Sequence, residues 1–399
     1  MERPLEGVRV LDLSRVLSGP YCTMILADQG ADVVKIERPD TGDDARHLGP
    51  PYVGEDSGFF VSINRNKRSL ALDLKTPDGL KLLHRLAESA DVFVENFRPG
   101  VAERLGCGYS KVSSINPRII YCSVSGFGQT GPYRERPGYN MTVQALGGAM
   151  TLTGAKGAVP SPVGIPVGDI PAGIYAATAI AMALYQREKT GVGRWIDVSL
   201  FDALLSMIEF PIIRHGLTGE EPGPVGDRHP SITPYGIFRA QDASIVLAVG
   251  SDALWTTFCQ VLVREDLRED PRFVTNAERT RNVDPLREEI ERTLRERTAA
   301  EWIHAMVSAG IPASPVNHVS DVYRDPQALE RGMLAQLVQP GFGDVTVAGT
   351  PIRWGDDDDA RLEAAPRLGE HTADVLREWL GLSDETIRSL AARGAIEGA

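Results

Sequence analysis

Cysteine is scarce in this chain of 399 residues: Cys22, Cys107, Cys122 and Cys259 lie far apart, with no CxxC pair. That excludes a disulfide framework and a thiolate-bound structural zinc, and it points to a reducing compartment. The seven histidines form no HxxxH or HxH pair, so a histidine-ligated metal has little basis. Positive charge is in deficit, 42 Lys and Arg against 54 Asp and Glu for a net charge of −12. A general polyanion binder is therefore not expected, although one local basic pocket for a phosphorylated ligand stays open. The longest apolar stretch, Ile170–Tyr185, contains Pro171 and falls short of the ~20 residues that a membrane span needs. The opening MERPLEGVRVLDLSR lacks the pattern of a secretory leader. No GxSxG elbow and no protease-type cysteine context occurs. A soluble cytoplasmic protein without nucleic-acid, membrane or metal partners is expected.

What is there begins as alternating short apolar runs and helical periodicity. Val8–Leu13 reads as a buried strand, Pro20–Gln29 as a helix closed by Gly30, and Asp32–Ile36 as a second strand. The pattern continues with Ser69–Leu74, a helix at Pro77–Ser89, Asp91–Glu95 and Arg118–Ser125. Strand–helix–strand repetition implies a parallel sheet, so the fold class expected is α/β, a Rossmann-like doubly wound sheet. A helix at Gly173–Arg187 and a strand at Arg194–Val198 follow. Residues 218–234, TGEEPGPVGDRHPSITP, change to Gly, Pro and polar residues and read as a linker. Beyond it, an antiparallel pair (Tyr235–Phe238, Ile245–Val249) and three helices predict a smaller α+β domain over 235–320. The large domain then takes 1–217 and 321–399.

Two tempting motifs are set aside. Gly126, Gly128 and Gly131 make a literal GxGxxG after a strand, but Pro132 follows at once where the dinucleotide fingerprint needs an opening helix. The run Asp356–Asp359 is four adjacent acids, usually a solvated face rather than a metal site. The informative stretch is Pro162–Ala177, PVGIPVGDIPAGIYAA, where Asp169 stands alone among small uncharged residues. Burying a carboxylate costs several kcal/mol unless donors satisfy it, so Asp169 needs a reason. One reason is capping of the helix that follows; the other is nucleophilic chemistry, with glycines permitting close approach of a ligand.

These phrases resemble the class III CoA-transferases, the family of formyl-CoA transferase and carnitine CoA-transferase. LEGVRVLDLSRVLSGP, GADVVKIERP, NRNKRSLALDLKTPDG, DVFVENFRPG, the Asp169 block and LGEHTADVL occur in the family's order across nearly the whole chain. GDDARHLGPPYVGEDS, SVSGFGQTGPYRERPGY and PYGIF are closest to its succinate–hydroxymethylglutarate branch. The resemblance implies transfer of CoA from an acyl-CoA donor such as succinyl-CoA to a carboxylic, here dicarboxylic, acid. It makes Asp169 the nucleophile, passing through an acyl-aspartyl anhydride and an aspartyl-CoA thioester. It places CoA contacts at Leu17, Ser18, Arg38, Leu72, Asp73, Leu74, Lys75, Asn96, Phe97, Arg98, Arg104 and Tyr139. CoA is then a co-substrate with no tightly bound cofactor, and the chain forms an interlocked homodimer.

Departures from the family pattern also speak. GDRHPSITPYG stands where the formyl branch has a mobile glycine run, so a different lid is expected. Leu17 replaces a glutamine of that branch and weighs against a formyl or oxalyl substrate. A 2-methylacyl-CoA racemase would carry a histidine where this chain has Tyr139, a poor base at neutral pH. A non-catalytic acyl-CoA binder would keep the CoA phrases without needing Asp169. Arg15 and Arg46 read either as partners for a distal substrate carboxylate or as ordinary salt-bridging arginines.

Overall fold

Short apolar strands bounded by glycine or proline and joined by helices can bury both faces only in a parallel sheet, and such a sheet is the centre of the fold. The computed structural model describes residues 3–224, 226–355 and 362–398, so the acidic run Asp356–Asp359 lies outside the described residues. In chain order the first elements are β1 (Arg9–Asp12), α1 (Ser18–Asp28), β2 (Asp32–Glu37), β3 (Lys67–Leu72), α2 (Pro77–Ser89), β4 (Val92–Glu95) and β5 (Ile120–Ser125). They are followed by α3 (Asn140–Leu146), α4 (Asp169–Thr190), β6 (Arg194–Ser199), α5 (Leu200–Met207) and α6 (Glu209–Thr218). Further on come β7 (Tyr235–Arg239), β8 (Ser244–Ala248), α7 (Asp252–Leu262), α8 (Val283–Leu294), α9 (Ala299–Ser308) and β9 (Ala313–Pro315). The chain then makes β10 (Leu334–Gln339), β11 (Gly343–Ala348), α10 (Thr372–Leu380), α11 (Asp384–Ala392) and β12 (Ile396–Glu397).

The main sheet runs β12-β3-β2-β1-β4-β5-β6. Strands β1 to β6 pair in parallel, and only β12 joins antiparallel, on the β3 edge. Alternate residues feed two cores. Leu11, Val34, Leu70, Phe93 and Tyr121 pack under α2, α10 and α11, while Val10, Val33, Val92 and Cys122 pack under α1, α4 and α5. Small residues on α4 let it lie close to α1. A side-chain carbon at Gly173 would come within 2.7 Å of the Ser18 carbonyl oxygen, so only glycine fits there.

The chain divides into two compact units. The larger holds 1–149, 162–219 and 329–399; the smaller holds 150–161 and 220–328. The stretch expected as a linker is thus split, with Thr218 and Gly219 in the larger unit and Glu220 onward in the smaller. The claim of the smaller unit on 150–161 has no signal in the sequence. The smaller unit carries a three-stranded antiparallel sheet, β9-β8-β7, packed on Trp255, Phe258, Leu286, Ile290 and Trp302 from α7 to α9. Its segment before β7 is tied down: His229 Nδ1 accepts from the Ser231 and Ile232 amides at 3.1 Å each, and Arg279 donates to the Thr233 carbonyl at 2.7 Å. Among the described residues, no helix is long and apolar enough to cross a membrane.

Candidate active site

The strand order reverses direction between β1 and β4, and in open parallel sheets ligands bind outside the carboxyl ends at such a switch. A cavity of about 220 Å³ lies there. Its walls are the segments that leave four strands: Leu13–Arg15 after β1, Arg38 after β2, Asp73–Lys75 after β3 and Phe97 after β4. Of the residues expected to contact CoA, Arg38, Leu72, Asp73, Leu74, Lys75 and Phe97 line it. Asn96 stands behind the wall, its Oδ1 accepting from the Arg15 amide at 2.8 Å and its Nδ2 donating to the Arg15 carbonyl at 2.7 Å. Both ends of that carboxamide hold the wall. Arg98 and Arg104 are exposed beside the helical turn Val101–Arg104, whose Val101 lines the cavity.

Buried charge braces these walls. Lys35 donates to the Ser14 carbonyl and pairs with Asp43, both at 2.8 Å. Lys67 pairs with Asp12 at 3.1 Å, and Asp12 also accepts from Thr23 at 2.6 Å. Burial pushes the Asp12 carboxyl up, but Lys67 and Lys35 outweigh it and hold it down at about 2. Burial brings the Lys67 ammonium down to about 8. One strand further along, burial drives the Glu95 carboxyl up to about 7 while it accepts from the Phe97 amide at 2.8 Å.

Sequence left two arginines with two roles each. Arg46 is 3% exposed, bonded to Glu37 at 2.7 and 2.8 Å and to Asp56 at 2.9 Å, and it sits over the Phe60 ring. It is a structural salt bridge, not a substrate hook. Arg15 is half-buried at the cavity, pairs with Asp44 at 3.1 Å and lies over Phe97. Lys35 and Asp43 escaped notice, although a lysine inside the apolar run DVVKIE is the kind of buried charge that signals a partner.

A second group gathers where α4 begins. Gly168, not Asp169, is the N-cap residue; Asp169 is the first residue of the helix and its side chain makes no capping bond. The capping explanation for this acid therefore fails. Asp169 is half-buried, and burial alone pushes its carboxyl up to about 6, with no charged neighbour contributing. Gly173, one turn on and on the same helix face, packs against Ser18 at the start of α1. Leu17 is the buried residue just before that helix, so the segment 13–18 runs from the cavity wall to the neighbourhood of Asp169. Tyr139 caps α3 and is 69% exposed. The neighbouring Asn140 accepts from the Gly168 amide at 3.0 Å; sequence reasoning missed it, because an asparagine at a helix start looks ordinary.

The GFGQTG loop holds no helix: Gly128 and Gly131 take positive φ, and α3 begins only at Asn140. Among the described residues no cluster of His, Cys, Asp and Glu could hold a metal ion.

Comparison with known proteins agrees with this layout. The model of CoA-transferase family III matches residues 5–372. The human succinyl-CoA:glutarate CoA-transferase is 37% identical over 395 residues, covering 99% of this chain and 90% of that protein. The acetyl-CoA:oxalate CoA-transferase of Acetobacter aceti is 41% identical over 378 residues, covering 94% of this chain and 96% of that one. The crystal structure of a CAIB/BAIF family protein from Brucella suis superposes with a TM-score of 0.82 at 37% identity, covering 95% of this chain and all of that one.

Proposed function

The chain belongs to CoA-transferase family III and is a CoA-transferase with CoA thioesters as co-substrates, and from that premise we propose that it moves CoA from succinyl-CoA or a similar donor to a dicarboxylic acid. Asp169 is the nucleophile. One of its oxygens bonds to the thioester carbon and CoA thiolate leaves, giving an acyl-aspartyl anhydride. The thiolate attacks the aspartyl carbonyl, releasing the donor acid and forming aspartyl-CoA. The acceptor carboxylate displaces CoA from that thioester, and the thiolate then takes the acceptor's acyl group and frees Asp169. Covalent relay divides one hard exchange into steps between activated carbonyls.

The observation that carries this reading is the state of Asp169: a half-buried carboxylate with no cap to serve and no cation to neutralise it. A racemase needs a second base acting on the same substrate carbon, and Tyr139 stands where that base would be a histidine, a poor base at neutral pH. CoA binds at the switch-point cavity, with Arg38, Lys75, Arg98 and Arg104 facing phosphates and Phe97 the adenosine, on a Rossmann-like large domain. Diacid acceptors are supported by the glutarate and oxalate named in the two relatives, the oxalate standing against the weight that Leu17 places on other acids.

The homodimer is supported by α6, which has no buried residue while Phe210, Ile212, Ile213 and Leu217 are exposed. A helix with so much uncovered apolar surface is a contact face. A cytoplasmic setting fits four unpaired, buried cysteines.

The test is CoA exchange from succinyl-CoA across diacids from oxalate to glutarate and across monocarboxylic acids, with D169A and D169N alongside. Transfer to diacids that vanishes in both variants is expected. Unchanged transfer in the variants would remove Asp169 from the reaction, and transfer to monocarboxylic acids alone would remove the diacid assignment.

A further inference from the structure

Two carboxamides on α3 form a hydrogen-bond chain that the steps above do not use. Gln144 is fully buried, and the Val163 amide lies 2.8 Å from its Oε1. A backbone N–H can only donate, so the oxygen end of Gln144 must face Val163. Its amino end therefore faces Asn140, whose Oδ1 it meets at 3.2 Å. The same reasoning holds at Asn140, because the Gly168 amide donates to that same Oδ1 at 3.0 Å. Two obligatory donors thus fix which way the Asn140 carboxamide points. Its Nδ2 is left without a protein partner among the described residues, and it is not sealed from solvent. Gly168 immediately precedes Asp169, so a carboxamide of fixed orientation, with an unspent N–H donor, is tied to the backbone one residue before that carboxylate.

We propose that Asn140 Nδ2 is an oxyanion donor in the transfer reaction, and that Gln144 is the positioning residue that aims it. The inference rests on Asp169 being the nucleophile. When a carboxylate oxygen of Asp169 bonds to the thioester carbon, the π pair of the carbonyl moves onto its oxygen. That oxyanion accepts the hydrogen bond from Asn140. Collapse restores the carbonyl and expels CoA thiolate with the electron pair of the carbon–sulfur bond. A neutral donor suits this place. A lysine or arginine would pair with Asp169 and blunt it, whereas a carboxamide offers N–H groups without net charge. Only burial acts on the Asp169 carboxyl, so its environment is kept free of cations.

The decisive variant is N140D, which keeps an oxygen for the Gly168 amide and replaces the donor with a second acceptor. Its kcat for CoA transfer is expected to fall by about 100-fold or more, the usual cost of losing an oxyanion donor, with KM for acyl-CoA unchanged. The acid limb of its pH–rate profile should move upward, because a second carboxylate opposes ionisation of Asp169. N140S also keeps an acceptor for Gly168 and is expected to lose kcat without moving that limb. Q144L preserves volume but releases Asn140, and a kcat loss of about tenfold is expected. Wild-type kcat in both N140D and N140S overturns the proposal. So does a rise in KM with kcat retained, which would make Asn140 a binding contact. If N140D does not fold, N140S and Q144L decide the question in its place: loss of kcat in both supports the proposal, and wild-type kcat in both overturns it. Labelling the wild type with radioactive acyl-CoA separates the two layers: no hydroxylamine-labile adduct would sink the Asp169 reading itself, while an adduct in the wild type with undiminished N140D and N140S sinks only the role of Asn140.

Discussion

The large unit contains two polar regions built on opposite rules. Beside the cavity, Asp12, Lys35, Asp43 and Lys67 are all buried, and each faces an opposite charge. At the start of α4, Asp169 faces none, and its surroundings are satisfied by carboxamides from α3. Paired charges hold a shape, because moving either partner strands the other in a poor solvent. A lone carboxylate holds nothing and stays available to react. The cost of each arrangement shows in its titration. The folded state disfavours the proton on Asp12 and favours it on Asp169.

Breaking the lone charge should give the largest effect. D169A or D169N is expected to lower the transfer rate by ~10⁴-fold or more, read by succinyl-CoA exchange. Next comes the paired region. K67M strands the buried Asp12 and should cost about 3–5 kcal/mol in denaturant unfolding, with little change in Asp169 labelling among the molecules that fold.

The pH dependence sharpens the contrast. Asp169 has a raised carboxyl near 6, so its contribution to stability is full below about pH 4 and is lost as pH rises through 6. D169N should therefore stabilise the protein at pH 7 by about 1–2 kcal/mol relative to pH 4, after allowing for its partial exposure. Asp12 works the other way: its contribution is present above about pH 4 and is lost as pH falls through 2. Activity should rise through pH 6 as the proposed nucleophile ionises. The smallest effect expected is at the cavity rim. K75A should raise KM for acyl-CoA by roughly three- to tenfold with kcat unchanged, and added salt should shrink the difference.

Much of the fold was legible because its signals are local. Helix α2 begins and ends where the sequence predicts, since Thr76 caps it, Pro77 fits the first turn and Asp78 suits the helix start. The strands β1, β2, β4 and β5 read as short apolar runs because both faces of the sheet are covered. The start of α4 was misjudged by four residues: glycine and proline argue against a helix, yet Gly173 is there to let α1 approach. β12 is two residues long and carries no pattern at all. At the site, Asp169 stood out as an acid in uncharged surroundings. Asn140 and Gln144 did not, because what they do depends on backbone amides 28 and 19 residues away.

That small last strand bears on how the molecule is made. Ala395 accepts from the Asp73 amide at 3.0 Å, and Glu397 accepts from the Asp40 amide at 2.6 Å across 357 residues. Asp73 is itself a cavity-wall residue, and Asp40 lies two residues beyond another, Arg38. A ribosome delivers β2 and β3 early, but it cannot deliver their brace until residue 397 has left the exit tunnel. The cavity wall is thus finished after translation of these segments, and an amino-terminal fragment, however well its sheet forms, emerges with that wall still unbraced.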